Sequence, residues 1–181
     1  MTKINVENIV ASAQISSGFN VKELSEKILD FKYNPDEFSG VTMKLDCPKT
    51  AILVFPDGKL ICTGARNIDE VDKTIKDTIK KIKEVGITTK EKTEIEIQNI
   101  VASTNLDKEM HLSSISKGLL LQHVDYQPDK FPGLIYKIEE HGATLLLFDS
   151  GKLVCTGTKS IEDATSAIEM MKEKLSSIGA L

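Results

Sequence analysis

No apolar run in this 181-residue chain approaches the ~20 residues needed to span a bilayer, and its N-terminus lacks the apolar core of a signal peptide. The chain is therefore expected to be soluble and intracellular, with no membrane partner. Three cysteines, an odd number, argue against a disulfide framework. There is no Cys-x-x-Cys pair and no Cys/His cluster, so no metal site is expected, and the thiols read as small buried apolar groups. Gly-x-Ser-x-Gly, His-Glu-x-x-His and a phosphate-cradling glycine loop are all missing, and nothing points to a cofactor. His111, His123 and His141 have no equivalents earlier in the chain, so they suggest no shared catalytic role, and the protein is not expected to be an enzyme.

Hydrophobic residues at 40% and charged residues at 28% are those of an ordinary globular protein. The net charge of −4 would ordinarily count against nucleic acid as a partner, but it is unevenly spread. Residues 1–92 carry 15 basic side chains against 14 acidic, and residues 93–181 carry 8 against 13.

What the chain does have is a repeat. Asn8-Ile-Val-Ala-Ser12 returns as Asn99-Ile-Val-Ala-Ser103, and Leu53-Val-Phe-Pro-Asp-Gly-Lys-Leu-Ile-Cys-Thr-Gly64 returns as Leu146-Leu-Phe-Asp-Ser-Gly-Lys-Leu-Val-Cys-Thr-Gly157. The offset is 91 residues for the first block and 93 for the second, so a two-residue insertion separates them. A period this long exceeds the ~20–50 residues of solenoid units and indicates a duplicated half, residues 1–92 and 93–181.

Each copy shows the same order of signals. An apolar strand (Ile4–Ser12; Ile95–Ser103) precedes a short helix around Val21–Leu29 and Leu112–Leu121. A Pro-Asp turn follows (Tyr33–Phe38; Tyr126–Phe131). Three strands then run through Gly40–Asp46, Thr50–Phe55 and Lys59–Gly64, matched by Gly133–Glu139, Ala143–Phe148 and Lys152–Gly157. A long amphipathic helix closes each copy, with Ile68, Val71, Ile75, Ile79, Ile82 and Val85 on one stripe and Ile161, Ala164, Ile168, Met171, Leu175 and Ile178 on the other. Gly86 and Gly179 stand where a left-handed helix cap is needed. On the first long helix, five lysines (Lys73, Lys76, Lys80, Lys81, Lys83) suggest a basic outer face, whereas the second carries mostly acids.

Strand alternation sorts the side chains into two faces. Ile52, Val54, Leu60 and Cys62, with Leu145, Leu147, Leu153 and Cys155, go under the helices. Leu53, Phe55, Lys59, Ile61 and Thr63, with Leu146, Phe148, Lys152, Val154 and Thr156, point the other way, together with Asn8, Val10, Asn99 and Val101. A solvated face should be polar, but this second face is apolar at its centre, so it is expected to meet a partner. The alternative is a sandwich in which the two halves cover one another.

These motifs, together with Phe131-Pro-Gly-Leu-Ile-Tyr-Lys137, resemble the TATA-box-binding protein family over essentially residues 4–179. The start close to the first repeat is similar to archaeal members. The resemblance implies an α+β fold in which two pseudo-symmetric repeats form one curved antiparallel sheet, a saddle with helices on its convex face. It implies a general transcription initiation factor whose bare face lies along the minor groove of promoter DNA. Kinking by inserted side chains is this family's own known mechanism, not one read from composition or spacing.

By resemblance, Phe38 and Phe55 would insert at one end of the DNA site and Phe131 and Phe148 at the other, with Leu53 and Leu146 beside the rings. Asn8, Asn99, Thr63 and Thr156 would meet base acceptors near the centre, and Val10, Val101, Ile61 and Val154 would press on the groove floor. Lys44, Lys59, Arg66, Lys137, Lys152 and Lys159 would contact phosphates. A transcription factor B homologue would dock near the Tyr126–Phe131 turn, and RNA polymerase would follow. If archaeal, the protein would be cytoplasmic and nucleoid-associated. A protein-interaction module, or a homodimer formed in the absence of DNA, would use the same apolar face.

Overall fold

The Asn-Ile-Val-Ala-Ser blocks lie in the longest strand of each repeat, β1 (Asn5–Gln14) and its counterpart β6 (Ile95–Asn105). Both run two residues past their expected ends. The computed structural model describes residues 3–119 and 123–181. They divide into two compact units, one of Asn8–Gln98 and one of Asn99–Leu181 joined by the N-terminal residues through Glu7. Each unit thus borrows the start of the other repeat's long strand. In the second unit Ser103 Oγ donates to Glu7 Oε1 at 2.6 Å, and in the first Gln98 Nε2 donates to Ser12 Oγ at 2.8 Å.

In the first unit β1 leads to the short helix α1 (Val21–Lys27), whose Asn20 cap accepts from Glu23 N at 3.2 Å. Ile28 is already extended, so the helix stops short of Leu29, which is 92% exposed. A two-residue strand β2 (Lys32–Tyr33) then enters the sheet, followed by β3 (Val41–Asp46), β4 (Lys49–Val54) and β5 (Lys59–Ala65). The strands pair antiparallel in the order β2-β3-β4-β5-β1. Helix α2 (Ile68–Glu84) closes the unit, with Asn67 Oδ1 capping Glu70 N at 2.8 Å and Gly86 at φ +80° just past its end.

The second unit repeats the plan. Helix α3 (Leu112–Gly118) follows β6; Leu120 and Leu121, expected at its end, lie outside the described residues. Strands β7 (Val124–Asp125), β8 (Gly133–Ile138), β9 (Ala143–Phe148) and β10 (Lys152–Thr158) give the antiparallel order β6-β10-β9-β8-β7. Helix α4 (Ile161–Ser177) is capped by Ser160 Oγ on Asp163 N at 3.0 Å, with Gly179 at φ +73° beyond it. The edge strands β2 and β7 leave no signal in the sequence, because two residues are too few to show a period-2 pattern.

The core of each unit is the parity assigned to the helices. Ile52, Val54, Leu60 and Cys62 are fully buried, as are Leu145, Leu147, Leu153 and Cys155. Ile68 departs from the expected stripe at 43% exposure: it opens α2, one turn before the first core contact at Val71. The basic outer face of α2 is also less basic than its lysine count suggests. Lys73 pairs with Asp77 (2.6 Å), Lys76 with Asp72 (3.4 Å), Lys80 with Glu84 (3.9 Å) and Lys81 with Asp30 (2.5 Å). Such exposed pairs add little stability, but they cancel the helix's field locally.

Cys62 and Cys155 are buried as expected, and burial pushes both thiols up to about 11. Cys47 is exposed, contrary to the expectation of three buried thiols, because it sits in the link between β3 and β4 and not on a strand.

Candidate functional site

On the parity opposite the helices, every expected apolar side chain is half-buried and not sealed. Val10, Leu53, Phe55 and Ile61 occupy it in the first unit, and Val101, Leu146, Phe148 and Val154 in the second. Strand pairing lines them up in rows. Thr42, Leu53, Ile61 and Ser12 lie side by side across β3, β4, β5 and β1. Ile135, Leu146, Val154 and Ser103 form the matching row. Sequence reading missed Thr42 and Ile135, although their parity on β3 and β8 could have revealed them.

At the end of each face two phenylalanine rings meet. The Pro-Asp turns deliver the first ring: Phe38 N donates to Asn34 O at 2.9 Å and Phe131 N to Gln127 O at 3.0 Å. The second ring comes from the end of β4 or β9. Phe38 and Phe55 stand edge to face with centroids 5.1 Å apart, and Phe131 and Phe148 are 5.9 Å apart at 62°. Edge-to-face packing is favourable and holds each ring upright. All four rings remain half-buried.

The polar centre rests on a bulge. Between Ile9↔Ala65 and Ala11↔Cys62, β5 carries one residue more than β1, and β10 does the same against β6 between Thr158↔Ile100 and Cys155↔Ala102. Gly64 and Gly157 sit in these bulges, both at φ +93°, a conformation that favours glycine. Their N–H groups leave the ladder and donate to Asn8 Oδ1 and Asn99 Oδ1, each at 2.7 Å. Asn8 Nδ2 donates to Thr63 Oγ1 at 3.3 Å, and Asn99 Nδ2 to Thr156 Oγ1 at 3.1 Å. The threonine hydroxyls donate back to the same oxygens, Thr63 Oγ1 to Asn8 Oδ1 at 3.4 Å and Thr156 Oγ1 to Asn99 Oδ1 at 3.3 Å, so the uncommitted donor at each centre is the second amide hydrogen.

The six expected phosphate-contact cations are exposed. Lys44 lies in a row with Ala51 and Thr63, and Lys137 in a row with Thr144 and Thr156. Lys59 and Lys152 open β5 and β10, while Arg66 and Lys159 follow those strands. None of the ion pairs found among the described residues uses any of the six. The described residues contain no group of three or more His, Cys, Asp or Glu suited to a metal ion, and no helix long and apolar enough to cross a membrane.

The chain is thus a tandem duplication of an α+β unit. Each copy carries an apolar strand face with a ring pair at its end and hydrogen-bond donors beside a glycine bulge. The profile of the family described as transcription factor TFIID (or TATA-binding protein, TBP) matches residues 3–85 and 94–178, and the chain belongs to that family of transcription factors. It is 40% identical over 179 residues to a TATA-box-binding protein of Archaeoglobus fulgidus, covering 99% of this chain and 98% of that one. It is 42% identical over 175 residues to one from Methanothermobacter thermautotrophicus, covering 97% and 96%. Among solved structures it resembles the Methanococcus jannaschii TBP, with a TM-score of 0.87 at 36% identity over 97% of this chain and 99% of that one. Family membership places the protein outside the enzymes, and the likeness to the solved structure bears out the α+β fold that the resemblance implies.

Proposed function

We propose that this protein binds the minor groove of A·T-rich promoter DNA, bends it by inserting phenylalanine rings, and recruits a transcription factor B homologue and RNA polymerase to start transcription. The observation that carries this reading is the pair of half-buried, mutually braced rings at one end of each apolar face. In this reading the Phe38/Phe55 and Phe131/Phe148 pairs enter base steps at the two ends of the site.

The centre of each face supports selection of A·T pairs. In the minor groove an A·T pair shows only the acceptors A N3 and T O2, while a G·C pair adds a guanine amino donor. The free amide hydrogens of Asn8 and Asn99 suit the first. Val10, Val101, Ile61 and Val154 would leave that amino group desolvated and unpaired.

The magnitudes fit. Unstacking costs a few kcal/mol per step and smooth bending on the order of 1–6 kcal/mol. Burying about ten apolar side chains, at up to about 1.5–3 kcal/mol each, can exceed both. Lys44, Lys59, Arg66, Lys137, Lys152 and Lys159 then serve to track the backbone.

The test is a duplex labelled at both ends, A·T-rich against G·C-rich, read by energy transfer. The expected result is tight binding with a large rise in transfer on the A·T-rich duplex alone. Equal weak binding without bending overturns the reading in favour of a protein partner or self-association. For the factor B contact, charge reversal at the exposed Asp129 is expected to lower factor binding while DNA binding persists; an unchanged ternary complex counts against it.

A further inference from the structure

The rings of each pair meet beside a glycine, Gly133 at the start of β8 and Gly40 just before β3. Gly133 pairs directly with Phe148 across β8 and β9, and it lies two residues after Phe131. A Cβ placed there would stand 2.8 Å from Phe131 Cε1, 3.1 Å from Phe148 Cε1 and 3.2 Å from Leu147 O. Gly40 holds the equivalent place in the first unit, where a Cβ would lie 2.8 Å from Phe38 Cε1 and would collide with the carbonyl oxygen of Val54. Neither glycine has a positive φ, so neither is required by backbone conformation. Both are buried. What they supply is an empty pleat position into which the first ring of the pair leans.

We infer that Gly40 and Gly133 are positioning residues for the phenylalanine pairs: by leaving the pleat open, they set the tilt and height of the rings that enter DNA. This rests on the reading of the pairs as DNA wedges. An ordinary directly opposed strand pair keeps Cβ atoms about 4.5–5.5 Å apart, which would fill the space that Phe131 now occupies. The two seats differ in what blocks them. At Gly133 the tightest neighbours are ring edges, which can swing, and the carbonyl is the farthest of the three. At Gly40 the tightest neighbour is backbone, which cannot move without shifting β4 against β3. Alanine at Gly133 therefore tilts the rings while the fold survives, and alanine at Gly40 strains the strand pair itself.

The experiment compares Gly133→Ala with the unaltered protein in three readouts: thermal unfolding, ring-to-ring nuclear Overhauser contacts between Phe131 and Phe148 without DNA, and energy transfer on the end-labelled A·T-rich duplex. Gly133→Ala is expected to unfold cooperatively, to lose or weaken the ring contacts, and to bind the duplex roughly tenfold more weakly with less bending. Adding Phe148→Ala to Gly133→Ala should cost much less than it does alone, because both changes disable one wedge. If Gly133→Ala fails to fold, Gly133→Ala with Phe131→Leu removes the nearest obstructing ring and is expected to fold like Phe131→Leu alone; a double variant that stays unfolded overturns the seat. Unchanged ring contacts, unchanged bending, or fully additive losses with Phe148→Ala also overturn it. Unaltered protein that fails to bend the duplex overturns the wedge reading, while the ring contacts report separately on the seat.

Discussion

The side-chain oxygen of Asn99 accepts the backbone N–H of Gly157 at 2.7 Å, and Asn8 holds Gly64 at the same distance in the other unit. An N–H that the bulge has expelled from its ladder thereby fixes which end of the amide is committed. The backbone defect and the orientation of the amide are one device, because the group that repairs the bulge also fixes which way the amide N–H points.

That coupling separates two substitutions at Asn99. Asn99→Asp keeps an oxygen for Gly157 but replaces the donor with a second oxygen facing the acceptors of an A·T pair. It should fold normally and bind an A·T-rich duplex roughly tenfold to a hundredfold more weakly, the scale of a lost hydrogen bond that involves a charge. Asn99→Ala removes the partner of an exposed bulge N–H that water can then reach, and should lose about 0.5–1.5 kcal/mol of folding stability as well. Denaturant unfolding beside fluorescence-anisotropy titration distinguishes them; equal stability losses would show that the oxygen is not the bulge's partner.

How far the sequence alone could reach is visible in these same residues. Leu53 and Phe55 could be placed on the bare face because strict alternation over β4 leaves one assignment once Ile52 and Val54 go under the helix. The helix caps at Gly86 and Gly179 were legible for a similar reason, since a stripe that ends on glycine has a local signature. The bulge was not, because an extra residue in β5 shows only against its partner strand. The seats at Gly40 and Gly133 were hidden too: their meaning lies in a ring two residues back and another across the strand. Cys47 departs from the buried pattern of the other two thiols because its place in the link between β3 and β4, and not its residue type, decides its exposure.

Thr158 is a site where the two repeats disagree to the protein's cost. Its hydroxyl is buried with no hydrogen-bond partner among the described residues, and the residue is 1% exposed, while its first-repeat counterpart is the buried Ala65. Thr158→Val replaces the hydroxyl with a methyl group of similar size and relieves the unmet desolvation. It should raise stability by about 1 kcal/mol, or about 2–4 °C in Tm for a chain of this length. Scanning calorimetry checks this, and a fall in Tm would mean that the hydroxyl has a partner in solution.

Thiol chemistry should single out Cys47. Cys62 and Cys155 lie under the helices with their ionisation pushed up to about 11, so near neutral pH they are both shielded and protonated. Because their folded values lie above the unfolded ones, the stability they confer is intact below about pH 9 and declines as pH rises from there toward 11. Native protein at pH 8 should take up one equivalent of an aromatic disulfide reagent quickly and two more only on unfolding. Rapid reaction of all three would show that the sheet opens readily beneath α2 and α4.

Apolar burial and ion pairing make opposed claims on affinity, and Phe148 and Lys152 decide between them. Phe148 has its ring braced by Phe131 and only partly exposed, so truncating it unpacks its neighbour and, on the proposed reading, removes the wedge. Lys152 is exposed at the start of β10, and its contact with a phosphate would be screened at moderate salt. Phe148→Ala should therefore lower both affinity and bending far more than Lys152→Ala does at about 150 mM salt. Six phosphate contacts imply a log–log salt slope of roughly −5, and Lys152→Ala should make that slope shallower by about one while Phe148→Ala leaves it nearly unchanged. Titrations across a salt series on one A·T-rich duplex measure all of these at once. The opposite ranking, with Lys152→Ala the more damaging and Phe148→Ala flattening the slope, would mean that the protein grips DNA by charge and that its rings do not enter the stack.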